Sequence, residues 1–205
     1  RLLRPPKQTE EEVTQEKEAP WFDANWLETY TGAHFDVFNP SVYDIAIEDI
    51  AHSLARICRF GGHIKTEHYS VAEHSTHMAR YATNRYGVLG VSKEVAFQAL
   101  LHDAGEAYYG DIIRPIKHKP EVAAVLEPVF ARVDEAIAQA FTLPAELHHI
   151  VRTLDNRILR DEKAALMASG EGEHGLYEPL NVNIRSLGPQ EAEEWFLQTY
   201  EELKP

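Results

Sequence analysis

The chain has 205 residues, of which 44% are hydrophobic and 26% are charged, and its formal net charge is −13. This balance suits a globular domain with a sizeable core, and the charge excludes a general electrostatic surface for duplex nucleic acid or an anionic membrane. Cys58 is the single cysteine, and no apolar run approaches the roughly 18 residues of a membrane span, so we expect a soluble, cytoplasmic protein.

The first residues differ in composition from the remainder of the chain. Residues 1–20 are rich in Glu, Lys and Gln, a composition that buries too little apolar surface to offset the entropy of ordering. We predict a flexible arm over residues 1–20 and a single domain over residues 21–205. The domain begins with an irregular aromatic segment whose rings we expect to pack on the core, the alternative being a platform for a nucleobase. Its aromatic residues are Trp21, Phe22, Trp26, Tyr30, Phe35 and Phe38.

Apolar residues at helical spacing follow through most of the chain and predict an all-α fold. Serine caps and prolines at first helical positions mark where several helices should begin. We expect Pro128 to bend or divide its helix, and residues 108–120 to form a loop. The predicted helices run from Ile47 to Ile57, from the Ser70 cap, from the Ser92 cap to His102-Asp103, and from Pro120, Pro144 and Pro189.

Candidate metal ligands lie on three of these helices. His74 and His77 are three residues apart and therefore share a face, where one can bind a metal and the other can support it or contact substrate. His102-Asp103 ends the next helix, and Glu106 leans toward the same place. Asp155 lies among apolar residues, a costly position for an unpaired carboxylate, the alternative being an exposed aspartate at the edge of the apolar stripe. Imidazole and carboxylate groups together favour a divalent transition metal.

The order of His74, then His102-Asp103, then Asp155 resembles the signature of the HD superfamily of metal-dependent phosphohydrolases. The resemblance implies a helical bundle in which these four side chains bind one divalent metal. The residue types leave the metal open among Co, Mn, Zn, Fe and Ni. Residues 69–75 and 102–117 are also similar to bacterial 5′-deoxynucleotidases of the HD group, and to phage HD enzymes that remove triphosphate from deoxynucleotides.

The resemblance also implies roles around the substrate. Arg59 would contact phosphate, and Glu106 would assist the attacking water or the leaving group. Asp111 would complete the substrate site and Lys117 would supply a loop cation, while we assign His77 to substrate from its place beside His74. The sequence departs from the nucleotidase pattern at Gly61-Gly62-His63, which leaves the base pocket unpredicted.

The sequence therefore predicts an enzyme that hydrolyses a nucleotide phosphoester with metal-activated water, the substrate being a deoxynucleoside mono- or triphosphate. Hydrolysis of another phosphoester, such as an alarmone or a cyclic nucleotide, is an alternative. A non-catalytic, metal-containing nucleotide sensor is another, but it would not need Glu106 and Asp111 beside the water. We expect a nucleotide as partner and a homodimer through the aromatic arm and the last helix, with neither duplex nucleic acid nor membrane.

Overall fold

The computed structural model describes residues 26–83, 92–144, 146–169 and 177–205, and within them the fold is helical, as predicted. The predicted arm, Trp21 and Phe22 lie outside the described residues. Among the described helices, none is both long and apolar enough to cross a membrane. The elements are β1 (Trp26–Glu28), β2 (His34–Asp36), α1 (Ile47–Arg56), α2 (Val71–Ala82), α3 (Lys93–Leu101), α4 (Glu106–Tyr109), α5 (Arg114–Lys117), α6 (Pro120–Ala140), α7 (His149–Leu166) and α8 (Pro189–Leu203), with 3-10 turns at Val42–Asp44 and Arg59–Gly62.

Helix α2 is the centre of the core. All twelve of its residues are buried, and it packs against α1, α3, α7 and α8. Ser70 caps it as predicted, because the Ser70 hydroxyl accepts a hydrogen bond from the Glu73 amide at 3.0 Å. The starts of α3 after Ser92, of α6 at Pro120 and of α8 at Pro189 also agree with the predictions.

The Glu73 side chain has a different partner from the one that a reciprocal capping box implies. Its carboxylate accepts hydrogen bonds from the backbone amides of Arg185, Ser186 and Leu187, at 2.8, 3.0 and 2.7 Å. These donors belong to the segment before α8, so the carboxylate joins α2 to a distant part of the chain. The burial of Glu73 is therefore compensated by three amides.

The aromatic N-terminal segment is more regular and more exposed than predicted. Strands β1 and β2 pair as an antiparallel hairpin, and Asp49 of α1 accepts hydrogen bonds from the amide and hydroxyl of Thr31 in its turn. Phe35 is fully buried and stacks on Tyr108, as expected. The prediction is wrong for three rings that remain exposed: Trp26, Tyr30 and Phe38.

Two helix boundaries and one short helix also differ from the sequence expectation. Helix α3 ends at Leu101, and residues 102–105 form turns before α4 begins at Glu106. The expected loop at 108–120 contains the short helix α5, and α7 begins at His149 rather than Pro144, with the His148 ring accepting from the Ile150 amide. Pro128 lies inside one continuous helix, α6, so of the two predicted effects, a bend or a division, the division does not occur.

Candidate functional site

Three of the predicted metal ligands meet at the end of α3. His74 projects from α2, His102 follows the last residue of α3, and Asp103 comes next in the chain. One ligand atom from each lies within 4.8 Å of the other two. The Nε2 atoms of His74 and His102 lie 3.7 and 3.1 Å from Oδ2 of Asp103. We call His74, His102 and Asp103 the His-Asp cluster.

The outer ring nitrogens show how the two imidazoles are oriented. Nδ1 of His74 donates to the Glu162 carboxylate at 2.6 Å, and Nδ1 of His102 donates to the Ala99 carbonyl at 2.9 Å. A carboxylate and a carbonyl only accept, so Nδ1 carries the proton in both rings. Both Nε2 atoms face the cluster and are buried without a hydrogen-bond partner among the described residues.

This donor set fits a divalent transition ion. Buried polar atoms that lack a hydrogen-bond partner are rare. Imidazole nitrogens and a carboxylate are common ligands of divalent transition metals. Burial and the Arg59 charge lower the pKa of His74 and favour its neutral form. Burial also lowers the pKa of His102, but Asp103 outweighs it and raises that pKa to about 9. An ion binding here would therefore displace a proton from His102.

Asp155 lies beside the cluster on α7. Its Oδ1 atom is 3.6 Å from Nε2 of His74, but Asp155 is not part of the mutually close group of ligand atoms. Its Oδ2 atom accepts a hydrogen bond from Arg114 at 2.6 Å. The structure brings Asp155 near the other predicted ligands, and its role as the fourth ligand stays a prediction.

His102 and Asp103 of the His-Asp cluster line a pocket of about 1060 Å³, whereas His74 is fully buried and is not among the lining residues. The side chains predicted for catalysis and phosphate binding line this pocket together with apolar residues from the turn after α1, from α5 and from α7. Its volume is at the upper end for sites that hold a drug-sized molecule. The polar lining includes Arg59, His63, Glu106, Asp111, Arg114, Lys117, His118, Lys119, Arg152, Asp155, Asn156 and Lys163.

Glu106 and Asp111 lie on the α4 side of the pocket. Glu106 is buried, and its Oε2 atom has no hydrogen-bond partner within the described part of the chain. Burial, followed by the charges of Asp103 and Asp111, raises the pKa of Glu106. Burial likewise raises the pKa of Asp111. A carboxyl group with a raised pKa and an unused oxygen can exchange a proton with water or substrate.

Arg59 lies between two carboxylates at the base of the pocket. Its Nη1 atom is 3.5 Å from Oδ2 of Asp103, and Nη2 donates to Oε2 of Glu162 at 3.3 Å. Burial lowers the pKa of Arg59, but Glu162 and Asp103 outweigh burial and raise it, so the side chain is charged. The Arg59 amide donates to the Tyr69 carbonyl at 2.9 Å, which fixes the turn beside the start of α2.

Lys117 reaches the pocket from α5. Its Nζ atom lies 4.0 Å from Oε1 of Glu106 and 5.5 Å from the centroid of the Phe130 ring. The side chain is partly exposed, so its charge can meet an anion that enters from solvent. The structure thus places both Arg59 and Lys117 in the lining of the pocket that His102 and Asp103 also line.

His77 does not reach this pocket. Its Nε2 atom lies 3.3 Å from Glu73, and its ring meets Trp195 edge-on, so the structure does not support the prediction that it contacts substrate. Because α2 is buried on every side, the rotation of about 60° between positions three apart directs His74 and His77 toward different neighbours.

Two residues at the site were missed in the sequence. Arg114 was placed in a loop, whereas it pairs with Asp155 from α5. Glu162 is fully buried and contacts both His74 and Arg59. The available signal was its spacing, because Glu162 lies seven residues after Asp155 and two helical turns bring these positions to one face.

Comparison with known proteins shows the family to which this chain is similar. The sequence model of the family described as "5′-deoxynucleotidase YfbR-like" matches residues 49–169, which include every member of the predicted site. The uncharacterized protein YfdR of Escherichia coli K12 is 31% identical over 184 residues, or 87% of this chain and 96% of YfdR. An uncharacterized protein of Rhodobacter capsulatus is 30% identical over 173 residues, or 79% of this chain and 84% of the relative. The chain therefore belongs to the YfbR-like 5′-deoxynucleotidase family of the HD superfamily.

Proposed function

We propose that the protein is a metal-dependent phosphohydrolase that cleaves a phosphoester of a deoxynucleoside mono- or triphosphate. The observation that carries the proposal is the pair of imidazole Nε2 atoms that face Asp103 without a hydrogen bond among the described residues, next to a pocket lined by Asp103, Glu106 and Arg59. Membership of a family described by 5′-deoxynucleotidase activity supports a nucleotide as substrate.

The residues that would hold the ion are His74, His102, Asp103 and Asp155. Their mixed nitrogen and oxygen donors suit one ion of Co, Mn, Zn, Fe or Ni. When bound, such an ion supplies Lewis acidity, which makes water a stronger acid and polarises a phosphoryl oxygen.

Glu106 would transfer a proton during the reaction, and Asp111 would support it from the same side of the pocket. Glu106 lines the pocket, and its Oε2 atom has no hydrogen-bond partner among the described residues, so the carboxyl group can orient the attacking water or pass a proton to the leaving ester oxygen. Asp111 lines the same side and would bind the sugar or position Glu106 through its charge.

The cations of the pocket would bind the phosphate. Among the described lining residues, six are Lys or Arg and four are Asp or Glu, although the whole chain has a net charge of −13. A positive pocket in a negative surface attracts small anions and disfavours polyanions that need a broad basic face. Arg59 and Lys117 would offset charge on the non-bridging oxygens.

The test is a product screen. The purified protein is loaded separately with Mn²⁺, Co²⁺ and Zn²⁺ and offered ribo- and deoxynucleoside mono-, di- and triphosphates. Orthophosphate, pyrophosphate and tripolyphosphate are measured separately. Release of orthophosphate from monophosphates identifies a nucleotidase, and release of tripolyphosphate identifies a triphosphohydrolase. Silence with every metal and every nucleotide would contradict the proposal and favour the sensor.

The predictions for the rest of the protein stay as proposals. We expect residues 21–205 to form one domain that acts in the cytoplasm as a homodimer. Light scattering during gel filtration would give the mass of the assembly, and a monomer would contradict the homodimer.

A further inference from the structure

Glu162 joins the His-Asp cluster to the cation at the base of the pocket. Its Oε1 atom accepts from Nδ1 of His74 at 2.6 Å and from the Tyr69 hydroxyl at 2.8 Å, while Oε2 accepts from Nη2 of Arg59 at 3.3 Å. The side chain is fully buried. It therefore meets neither water nor substrate directly, and whatever it does for the site it does through these partners.

Stability is a weak explanation for such an arrangement. A buried ion pair contributes little net stability, because removing both charges from water offsets much of their attraction. The two charged groups here are Glu162 and Arg59, and Arg59 also faces Asp103 at 3.5 Å. The contribution that remains is geometric, because a carboxylate with three donors fixes the direction of each of them.

The contact with His74 determines which nitrogen faces the cluster. A carboxylate at 2.6 Å requires a proton on Nδ1, which leaves the Nε2 lone pair directed toward Asp103. Carboxylates that hold the outer nitrogen of a metal-binding histidine orient the ring and make it a better donor. Arg59 is held from the opposite oxygen of the same carboxylate.

We propose that Glu162 is a positioning residue that fixes the His74 ring for metal binding and the Arg59 guanidinium for phosphate binding. One carboxylate thereby couples the metal position to the phosphate position. The inference rests on the proposed function, since it takes the ion to lie at His74 and the substrate phosphate at Arg59.

The test variant is Glu162→Gln, which keeps the size of the side chain and removes its charge. The amide nitrogen would face one of three groups that are themselves donors, so at least one contact is lost. We expect affinity for Co²⁺, measured by competition with a chelator, to fall by about 10- to 100-fold. We also expect KM for the best nucleotide to rise, because Arg59 is no longer held on that side.

Two control variants separate positioning from general damage. Glu73 is equally buried and lies on the same helix as His74, but its carboxylate binds the amides of residues 185–187. Glu73→Gln should lower the melting temperature and leave Co²⁺ affinity unchanged. Tyr69→Phe removes one donor and keeps the carboxylate, so it should change Co²⁺ affinity by only a few-fold.

A second measurement does not depend on the metal. Nitrogen chemical shifts of the histidine rings in the metal-free protein should show His74 protonated on Nδ1 in the wild type and a mixture of forms in Glu162→Gln. Wild-type Co²⁺ affinity together with unchanged ring shifts in Glu162→Gln would overturn the inference. If the wild type itself bound no divalent metal, the proposed function would fail, and the ring shifts would still decide whether Glu162 fixes His74.

Discussion

Two buried glutamates flank the His-Asp cluster, and their partners distinguish them. Glu162 accepts from three donors, and although burial raises its pKa, Arg59 and His74 outweigh burial and lower that pKa to about 2. The Oε1 atom of Glu106 lies 4.0 Å from Nζ of Lys117, and its Oε2 atom has no hydrogen-bond partner among the described residues. A carboxylate committed to neighbours can position them, whereas one with an unused oxygen can take part in proton transfer.

Glu106→Gln should lower kcat by about 10²- to 10⁴-fold, the range for loss of a general acid or base. The amide keeps the shape of the side chain but cannot exchange the proton. The His-Asp cluster stays intact, so bound Co²⁺ per chain should match the wild type. The melting temperature should hold or rise, since the variant removes a buried carboxyl near Asp103 and Asp111. An unchanged kcat would remove Glu106 from the mechanism and leave the proposed metal site standing.

Asp103→Asn and Asp155→Asn should each deplete bound metal and abolish turnover. Asp103 lies within reach of both imidazoles, and a neutral amide is a poorer donor to a cation than a carboxylate. Metal content after gel filtration and turnover in buffer containing Co²⁺ are the measurements. Asp134→Asn is a matched control, because Asp134 is exposed and accepts from Tyr109 without lining the pocket. Full activity of Asp103→Asn in metal-free buffer would refute the metal mechanism.

At the scale of elements, the sequence predicted helix starts better than helix ends. Ser70 and Ser92 are caps because a hydroxyl can accept from an amide three residues on, and this signal is local. No local sequence signal of this kind predicts the end of α3 at Leu101. There the amides of Ala104 and Glu106 donate to carbonyls three residues back, so the chain stays compact without continuing α3. Glu106 lines the pocket, and the chain reaches it from α3 by turns rather than along one helix.

Gly105→Ala should disturb this junction. The backbone of Gly105 is helical, with φ of −61°, so a side chain causes no dihedral strain. A β-carbon would nevertheless collide with the Tyr109 ring and hydroxyl and with the Asp134 carboxylate. We expect a loss of about 1–3 kcal/mol in the free energy of unfolding, the usual cost of overpacking, measured by urea denaturation.

Gly188→Ala is the control, because a β-carbon added there would meet no described atom within 4 Å, and it should change stability by less than about 0.5 kcal/mol. Equal stability of Gly105→Ala and wild type would contradict the packing argument.

At the scale of the whole molecule, the sequence indicated His74, His102, Asp103 and Asp155 because their order and spacing match a family signature. It did not indicate Glu162, whose partners His74 and Arg59 lie 88 and 103 residues away. Contacts at that separation depend on how α2 and α7 pack, which no local pattern encodes. The same reason explains why His77 contacts Glu73 and Trp195 and not the pocket. A helix that is buried on all sides presents every face to a neighbour, so its sequence does not show which face meets the pocket.

The predicted ligands come from α2, the end of α3 and α7, so an ion bound to them would connect three helices that are distant in sequence. An ion that binds only the folded state stabilises it by RT ln(1 + [L]/Kd), about 2.7 kcal/mol at a concentration of 100 Kd. For a chain of 205 residues, each kcal/mol moves the melting temperature by about 2–4 °C. Removal of metal with a chelator should therefore lower the melting temperature by about 5–11 °C, and added Co²⁺ should restore it.

The double variant Asp103→Asn with Asp155→Asn is the control for this prediction, and it should melt at the same temperature with and without Co²⁺. A metal-dependent shift of equal size in that variant would mean that the stabilising ion binds elsewhere.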